Sequence, residues 1–464
     1  MTRVAKSSEV HLDQGIEVQG IDRVSSTARF HQRIVDNFTF WLSANTVPST
    51  LLVGTLGISV FELGLWDSLG MIVVFNLLGV LSVAFFSTLG PKLGLRQMTI
   101  TRFSFGWSGA RLTALFNVIT CIGWSVVNVI VGGQLVQALS GGSIPSGLGI
   151  LGITALTTIV SLYGYRYIHR YERFAWMPMV LIFFAIAAVH VPDATVAVAK
   201  STGFVYVASL LSFGSAIYGA AAGWAPYAAD YSVKQPETTP AFKVFAFTFL
   251  GVWIPCVLLE SIGVVLTTVP ILNNKSGGEF LATALDPLGG FRAVTLLFLA
   301  LSIVANNIPN DYSLALSIQV LGGVFQRIKR WVWTLAGAMI YAVIAISADR
   351  NFNHTLENFL LVIAYWLGPW AIILVIEHCF RRGRYNVEDW DNPDRLPIGW
   401  AAIASMALGF VGVYLGVAQT AFVGLIAGLF NPPYGVDIGF ELGVLFAAIA
   451  YLILRPIEMR LTQR

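Results

Sequence analysis

The chain has 464 residues, of which 56% are hydrophobic and 11% charged. Soluble domains run at roughly 45–50% apolar and 25% charged, so a soluble globular protein is excluded and a polytopic membrane protein indicated. The formal net charge of +3 comes with no basic stripe apart from the loops, which argues against a nucleic-acid partner.

Residues 1–36 mix acids, bases and Gln without an apolar run, and read as a polar cytoplasmic tail rather than a cleavable signal. With spans of about 20 apolar residues as the measure, six membrane segments fall at 37–59, 68–89, 112–139, 148–165, 175–191 and 203–229. Six more follow at 241–269, 291–323, 331–348, 356–378, 398–430 and 438–454. The tails and the loops that share their side hold 24 of the 28 Lys and Arg; Lys200, Lys275, Arg292 and Arg350 lie on the other side. The positive-inside rule then makes both termini cytoplasmic.

The first span contains WLSANTVPSTLLVG, from Trp41 to Gly54, and the sixth GAAAGWAPYAADYS, from Gly219 to Ser232. At membrane depth, irregular backbone persists only where it is buried in protein or lines a cavity. A proline removes its own N–H and clashes with the carbonyl four residues earlier, so Pro48 frees the carbonyl of Ala44 and Pro226 that of Ala222. Either break alone reads equally well as an ordinary proline kink. Two breaks at corresponding positions, five spans apart, point to a transporter site at the midplane.

In the third span, ITCIGWSVVNVIVGGQ puts Trp124 and Asn128 four residues apart on one helical face. An aromatic plane beside an amide suits a flat heteroaromatic ligand: stacking is worth roughly 1–3 kcal/mol per base, and an amide pairs with a base edge. The plainer reading of a membrane Trp is an interfacial anchor, and Trp124 sits at mid-depth. In the eighth span, LSIVANNIPNDYSLALS packs Asn306, Asn307, Asn310 and Asp311 around Pro309. Such a cluster faces the bundle interior or water, with helix-to-helix hydrogen bonding as the plain alternative. In a two-repeat protein the eighth span is the counterpart of the third, which places Asn306 opposite Trp124.

The candidates for ion coupling are Glu260 in the seventh span, Glu172 in YRYIHRYERFAW, Asp230 and Asp311. Arg170 and Arg173 offer Glu172 a structural salt bridge, a packed role is open for Glu260, and Asp230 and Asp311 read as gate or cap residues. The His residues have no ligand spacing, so no metal or cofactor is expected. Cys121, Cys256 and Cys379 lie far apart and read as free thiols. No nucleophile–base pair appears at membrane depth, which argues against an enzyme. The loop GPKLGLRQMTITRFSFG, from Gly90 to Gly106, lacks the phosphate-loop pattern and reads as a connector contacting lipid headgroups.

The stretches GPKLGLRQMTITRFSFG, YERFAW, GWAPYAADYS and ANNIPNDYS resemble the purine-cytosine permease branch of the nucleobase-cation symporter family, and the likeness runs through most of the chain. The resemblance implies an all-α LeuT-type fold of 12 transmembrane helices working by alternating access. Two inverted five-helix repeats, about 37–191 and 203–378, would precede two trailing helices within 398–454 and a cytoplasmic tail, 455–464. It implies a base held between Trp124 of the third helix and Trp224 of the sixth, with Asn128 and Asn306 completing the contacts. Ser43, Asn45 and Ser49 are the first-helix candidates, with no choice among them. Glu172 matches a glutamate reported as functionally sensitive in fungal members.

Sodium-coupled relatives resembling hydantoin transporters carry adjacent Ser and Thr before the eighth-helix Asn. This sequence has Ala300 and Leu301 there, followed by Ser302, so proton symport is expected. The expected activity is import of cytosine and/or purines across the plasma membrane, with the lipid bilayer and the substrate as partners and no obligate protein partner. The alternatives are another flat heterocycle (vitamin, hydantoin or allantoin), sodium coupling and, more remotely, a non-transporting receptor.

Overall fold

A computed structural model describes residues 12–464 apart from 14–15, 18–19, 30–32, 164, 420–421, 431 and 434, with side chains left undescribed at 12–19 and 163–174. Long apolar runs with few internal breakers fold as helices, and the breakers that do occur set the helix ends. The first two helices, α1 (Ile34–Asn45) and α2 (Pro48–Ser59), are separated only by Thr46 and Val47, with Pro48 at the first position of α2. That is where a residue lacking an N–H costs nothing. The next are α3 (Leu65–Ser87), α4 (Arg102–Leu139), α5 (Ser146–Tyr163) and α6 (Tyr165–His190). Then α7 (Gly203–Ala222) stops, a 3-10 turn (Ala225–Tyr227) follows, and the short α8 (Ala228–Ser232) resumes.

The second half contains α9 (Ala241–Thr267), the short α10 (Gly277–Ala284), α11 (Arg292–Val320), α12 (Arg330–Ala348), α13 (Phe352–Phe380), α14 (Trp400–Gly416) and α15 (Gly439–Thr462). Among the described residues, eight helical stretches are long and apolar enough to cross a bilayer, and the longest, 330–380, contains both α12 and α13. Helices α4 and α11 pack along each other at the centre, α9 lies against α1, α2 and α3, and α14 and α15 form a hairpin against α13.

That hairpin is fixed by a buried ionic cluster. Arg455 reaches Glu377 with Nε at 2.8 Å and Nη2 at 2.9 Å, and its Nη1 donates to Glu458 at 3.0 Å. Tyr451 donates to Glu377 at 2.8 Å, and Glu458 accepts the backbone N–H groups of Gly399 and Trp400 at the start of α14. A carboxylate at a helix N-terminus satisfies orphan donors and complements the dipole. The guanidinium has carboxylate partners on two sides, so none of these charges is left buried alone.

Several sequence expectations need correction. The stretch 398–430 is not one span: α14 ends at Gly416, and Ala418–Gln419 pairs with Phe422–Val423 in a short antiparallel turn. The apolar composition continues past the helix end, but Asp437 draws the backbone N–H groups of Ala418 and Gly439 to itself and folds the segment back. Residues 455–462 are not a tail but the last turns of α15, because Arg455 is neutralised inside the protein. Within 1–36, Ile21 and Val24 are buried, Arg29 donates to the Pro91 carbonyl at 2.5 Å, and Arg23 pairs with Glu388 at 2.6 Å.

The loop 90–106 does not lie out among headgroups. Arg96 and Arg102 are each 2% exposed. Arg96 donates to the Asp230 backbone carbonyl at 2.9 Å and to the Tyr312 hydroxyl at 2.8 Å. Arg102 lies over the Trp107 ring at 3.9 Å.

Candidate substrate site

Where α1 breaks, the Ala44 carbonyl has lost its helical partner to Pro48, and the Asn306 Nδ2 of α11 donates to it at 2.5 Å. Asn306 Oδ1 accepts from Asn128 Nδ2 of α4 at 2.7 Å, so one amide joins the broken helix to the central pair α4 and α11. The break between α7 and α8 lies alongside. Trp224, at its start, donates its indole N–H to Asn45 Oδ1 at 2.9 Å and packs edge-on to Trp41 and Tyr227, each with ring centroids 5.5 Å apart. Tyr227 donates to Asn310 Oδ1 at 3.0 Å, which links this second break to α11 as well.

These contacts enclose a cavity lined by Asn45, Ser49 and Thr50 at the first break, Trp224 and Tyr227 at the second, Trp124 on α4, Cys256 and Glu260 on α9, and Asn306 and Asn310 on α11. Its volume is about 30 Å3. That is room for about two water molecules, so a planar ring enters only when the surrounding helices separate. Ser49 and Thr50 belong to the first turn of α2, whose N–H groups have no intrahelical acceptor and carry the positive end of the helix dipole. The Trp124 indole stands edge-on to Phe359, 5.3 Å between centroids, and comes so close to the second break that a Cβ on Gly223 would sit 2.6 Å from its Nε1.

Five of the seven substrate candidates therefore border one cavity: Trp124, Trp224, Asn306, Asn45 and Ser49. Two do not. Asn128 is fully buried and bonds to Asn306 and Asn307, so it supports the wall from behind. Ser43 is buried one turn before the break and outside the lining.

The four acids also separate. Glu260 borders the cavity, with Oε2 accepting from Asn76 at 2.5 Å. Asp230 lies below the second break and accepts the Gln97 backbone N–H at 2.7 Å. Asp311 accepts from Ser161 at 3.1 Å. Glu172 falls outside the residues whose side chains are described.

Tyr227, Cys256 and Thr50 are lining residues that sequence reasoning passed over. Tyr227 lies inside the very motif that marks the second break, and Cys256 precedes Glu260 by one helical turn, so both signals were present. Among the described residues no group of three His, Cys, Asp or Glu side chains is placed to hold a metal. The arrangement offers aromatic faces, amides, hydroxyls and one carboxyl around an enclosed space, with no nucleophile activated by a base.

Residues 24–436 match the model of a family described as permeases for cytosine/purines, uracil, thiamine and allantoin. The purine-cytosine permease FcyB of Emericella nidulans is 40% identical, across 98% of this chain and 91% of its own length. The purine-cytosine permease FCY2 of Saccharomyces cerevisiae is 39% identical, across 96% and 86%. Among solved structures, the nucleobase-cation-symport-1 family transporter Mhp1, in a closed conformation with bromovinylhydantoin bound, superposes with a TM-score of 0.71 at 15% identity over 92% of each chain. The fold is thus the one Mhp1 has, and by family match and identity the chain belongs to the cytosine/purine, uracil, thiamine and allantoin permeases.

Proposed function

We propose that this protein is a secondary active transporter that imports a nucleobase, cytosine and/or purines, by proton symport through alternating access. The observation that carries the reading is the meeting of Trp124, Trp224, Asn45 and Asn306 around one cavity where two helices are broken. Aromatic faces supply sequence-tolerant stacking and amides supply edge recognition, the two contacts a flat base requires. The likeness to FcyB and FCY2, both purine-cytosine permeases aligned over nearly the whole chain, supports the same substrate class.

The finer architecture belongs to the same reading: twelve spans, two inverted five-helix repeats and a trailing pair, with the cavity at the repeat interface. The pairing of α1–α2 with α7–α8 as the two broken helices supports it. Both termini are taken as cytoplasmic and the membrane as the plasma membrane. The distribution of Lys and Arg supports the orientation, and residues 20–29 lie on the same end as the Arg102, Arg381 and Arg455 clusters.

Proton coupling is favoured because Ala300 and Leu301 bring no hydroxyl where the sodium-coupled relatives carry adjacent Ser and Thr. Glu260 is the acid that borders the substrate cavity.

Equilibrium binding to the purified protein tests the substrate class, with cytosine, adenine, guanine, hypoxanthine, uracil, thiamine, allantoin and a hydantoin as ligands. Mutually competitive binding of cytosine and purines is expected. Binding of thiamine, allantoin or hydantoin with none of a nucleobase would overturn the assignment and keep the fold.

A further inference from the structure

The orientation of Asn76 determines which oxygen of Glu260 can carry a proton. Asn76 Nδ2 donates to the Ile72 carbonyl at 2.9 Å and to Glu260 Oε2 at 2.5 Å. Both partners are acceptors, so the nitrogen of the amide must face them and both of its hydrogens are used. Oε2 is therefore an acceptor by position, and a proton on this carboxyl sits on Oε1. Among the described residues none donates a hydrogen bond to Oε1, and Glu260 borders the cavity. The carboxyl is held from behind as well. The α9 backbone at Glu260 lies so close to α2 that a Cβ on Gly54 would overlap the Glu260 carbonyl.

Among the described residues no cation pairs with this carboxyl. The other titratable groups at the cavity are the Cys256 thiol on α9 and the Tyr227 phenol at the second break. The facing elements α2, α3, α4 and α11 bring neutral groups: Thr50, Asn76, Trp124 and Asn306. A buried charge without a counter-charge is costly, and a proton removes that cost.

We propose that Glu260 is a specificity-determining residue whose coupled proton, held on Oε1, donates to a ring-nitrogen acceptor of the bound base. This rests on the reading of the cavity as a nucleobase site. Cytosine presents an unprotonated N3 beside its amino group, and adenine an unprotonated N1. Each takes a hydrogen bond from the protonated acid and meets a lone-pair repulsion from the carboxylate. Guanine presents N1–H, a donor that the carboxylate accepts. Proton and base then bind as one cooperative unit for cytosine and adenine, because the proton is part of the contact. No bond is made or broken beyond the proton's binding to Oε1 and its release with the substrate.

Cytosine and guanine affinities of the purified protein, measured across a pH series, test this directly. Cytosine affinity is expected to fall about tenfold per pH unit once the carboxyl loses its proton, while guanine affinity holds or rises. In Glu260→Gln the Oε1 oxygen of the amide must accept from Asn76, so its NH2 faces the cavity as a permanent donor. That variant is expected to bind cytosine within about twofold of the acid-form affinity at every pH. It should exchange cytosine in counterflow and lose proton-driven accumulation.

Parallel pH trends for cytosine and guanine, or a Glu260→Gln variant with the wild-type pH profile, overturn the proposal and leave the nucleobase reading intact. The absence of any nucleobase binding by wild-type protein overturns both. The cytosine–guanine comparison needs no variant, so it stands even where Glu260→Gln cannot be purified folded.

Discussion

Asn306 and Trp124 divide the work of the site between holding and touching. Asn306 ties the freed Ala44 carbonyl to Asn128. In Asn306→Ala the buried Ala44 carbonyl loses its partner and Asn128 keeps only its longer bond to Asn307, at a cost of about 1–3 kcal/mol for each bond lost. A lower unfolding midpoint of the purified protein is expected, together with weaker cytosine binding. Among the described residues Trp124 has no hydrogen-bond partner, and its ring borders the cavity. Trp124→Ala should therefore weaken cytosine binding about 5- to 150-fold, the range of base stacking, with the unfolding midpoint nearly unchanged; Trp124→Phe should retain part of the affinity. A midpoint that falls in Trp124→Ala as far as in Asn306→Ala would remove the distinction.

The two residue types were legible in the sequence because a Trp and clustered amides at membrane depth are costly without a purpose. Their partners were not. Four-residue spacing puts Trp124 and Asn128 on one face, but the approach of α11 takes Asn128 for the wall and leaves Trp124 to the cavity. In the same way, Ser43, Asn45 and Ser49 were equivalent as polar residues near Pro48. The helix end at Asn45 separates them by turning Asn45 and Ser49 inward.

At the scale of elements, the breaks themselves do the positioning. Gly223 ends α7 with the Trp124 indole against it, so Gly223→Ala forces the ring aside by occupying a space 2.6 Å from Nε1. Cytosine binding should drop by an order of magnitude or more while the protein stays monodisperse and folded. Wild-type affinity in this variant would show that the contact between break and indole is incidental. Both breaks were readable from proline chemistry alone, since it names the carbonyl that is freed, and Asn306 is found on that of Ala44. The end of α14 was not readable, because hydropathy registers the apolar run to residue 430 and is blind to the Asp437 carboxyl that turns the backbone. The extension of α15 was missed for the converse reason. Arg455 looks like a membrane boundary until Glu377, near the end of α13, is seen to neutralise it.

For the whole molecule, the central fact is enclosure. A cavity of about 30 Å3 cannot hold a base in this state, so binding and release require the broken helices to move against α4 and α11. Cys256 borders the cavity and is 4% exposed, whereas Cys379 is exposed and Cys121 is buried elsewhere. In a Cys379→Ser background, a small methanethiosulfonate reagent should label Cys256 slowly, through the fraction of molecules that open, and cytosine should slow it further by occupying the same space. Labelling that is fast and indifferent to cytosine would mean the cavity is not the substrate's route. The membrane class, the broken helices and the family were legible from composition and motif, but enclosure is a property of side chains meeting across the bundle and is visible only in three dimensions.

The central claim, proton-driven import of a nucleobase through this cavity, is tested most directly by labelled cytosine uptake into proteoliposomes under an imposed proton gradient, then a sodium gradient. Accumulation driven by protons alone, competed by unlabelled purines and abolished in Trp124→Ala, is the result expected. Accumulation driven by sodium alone, or none under either gradient, would contradict it.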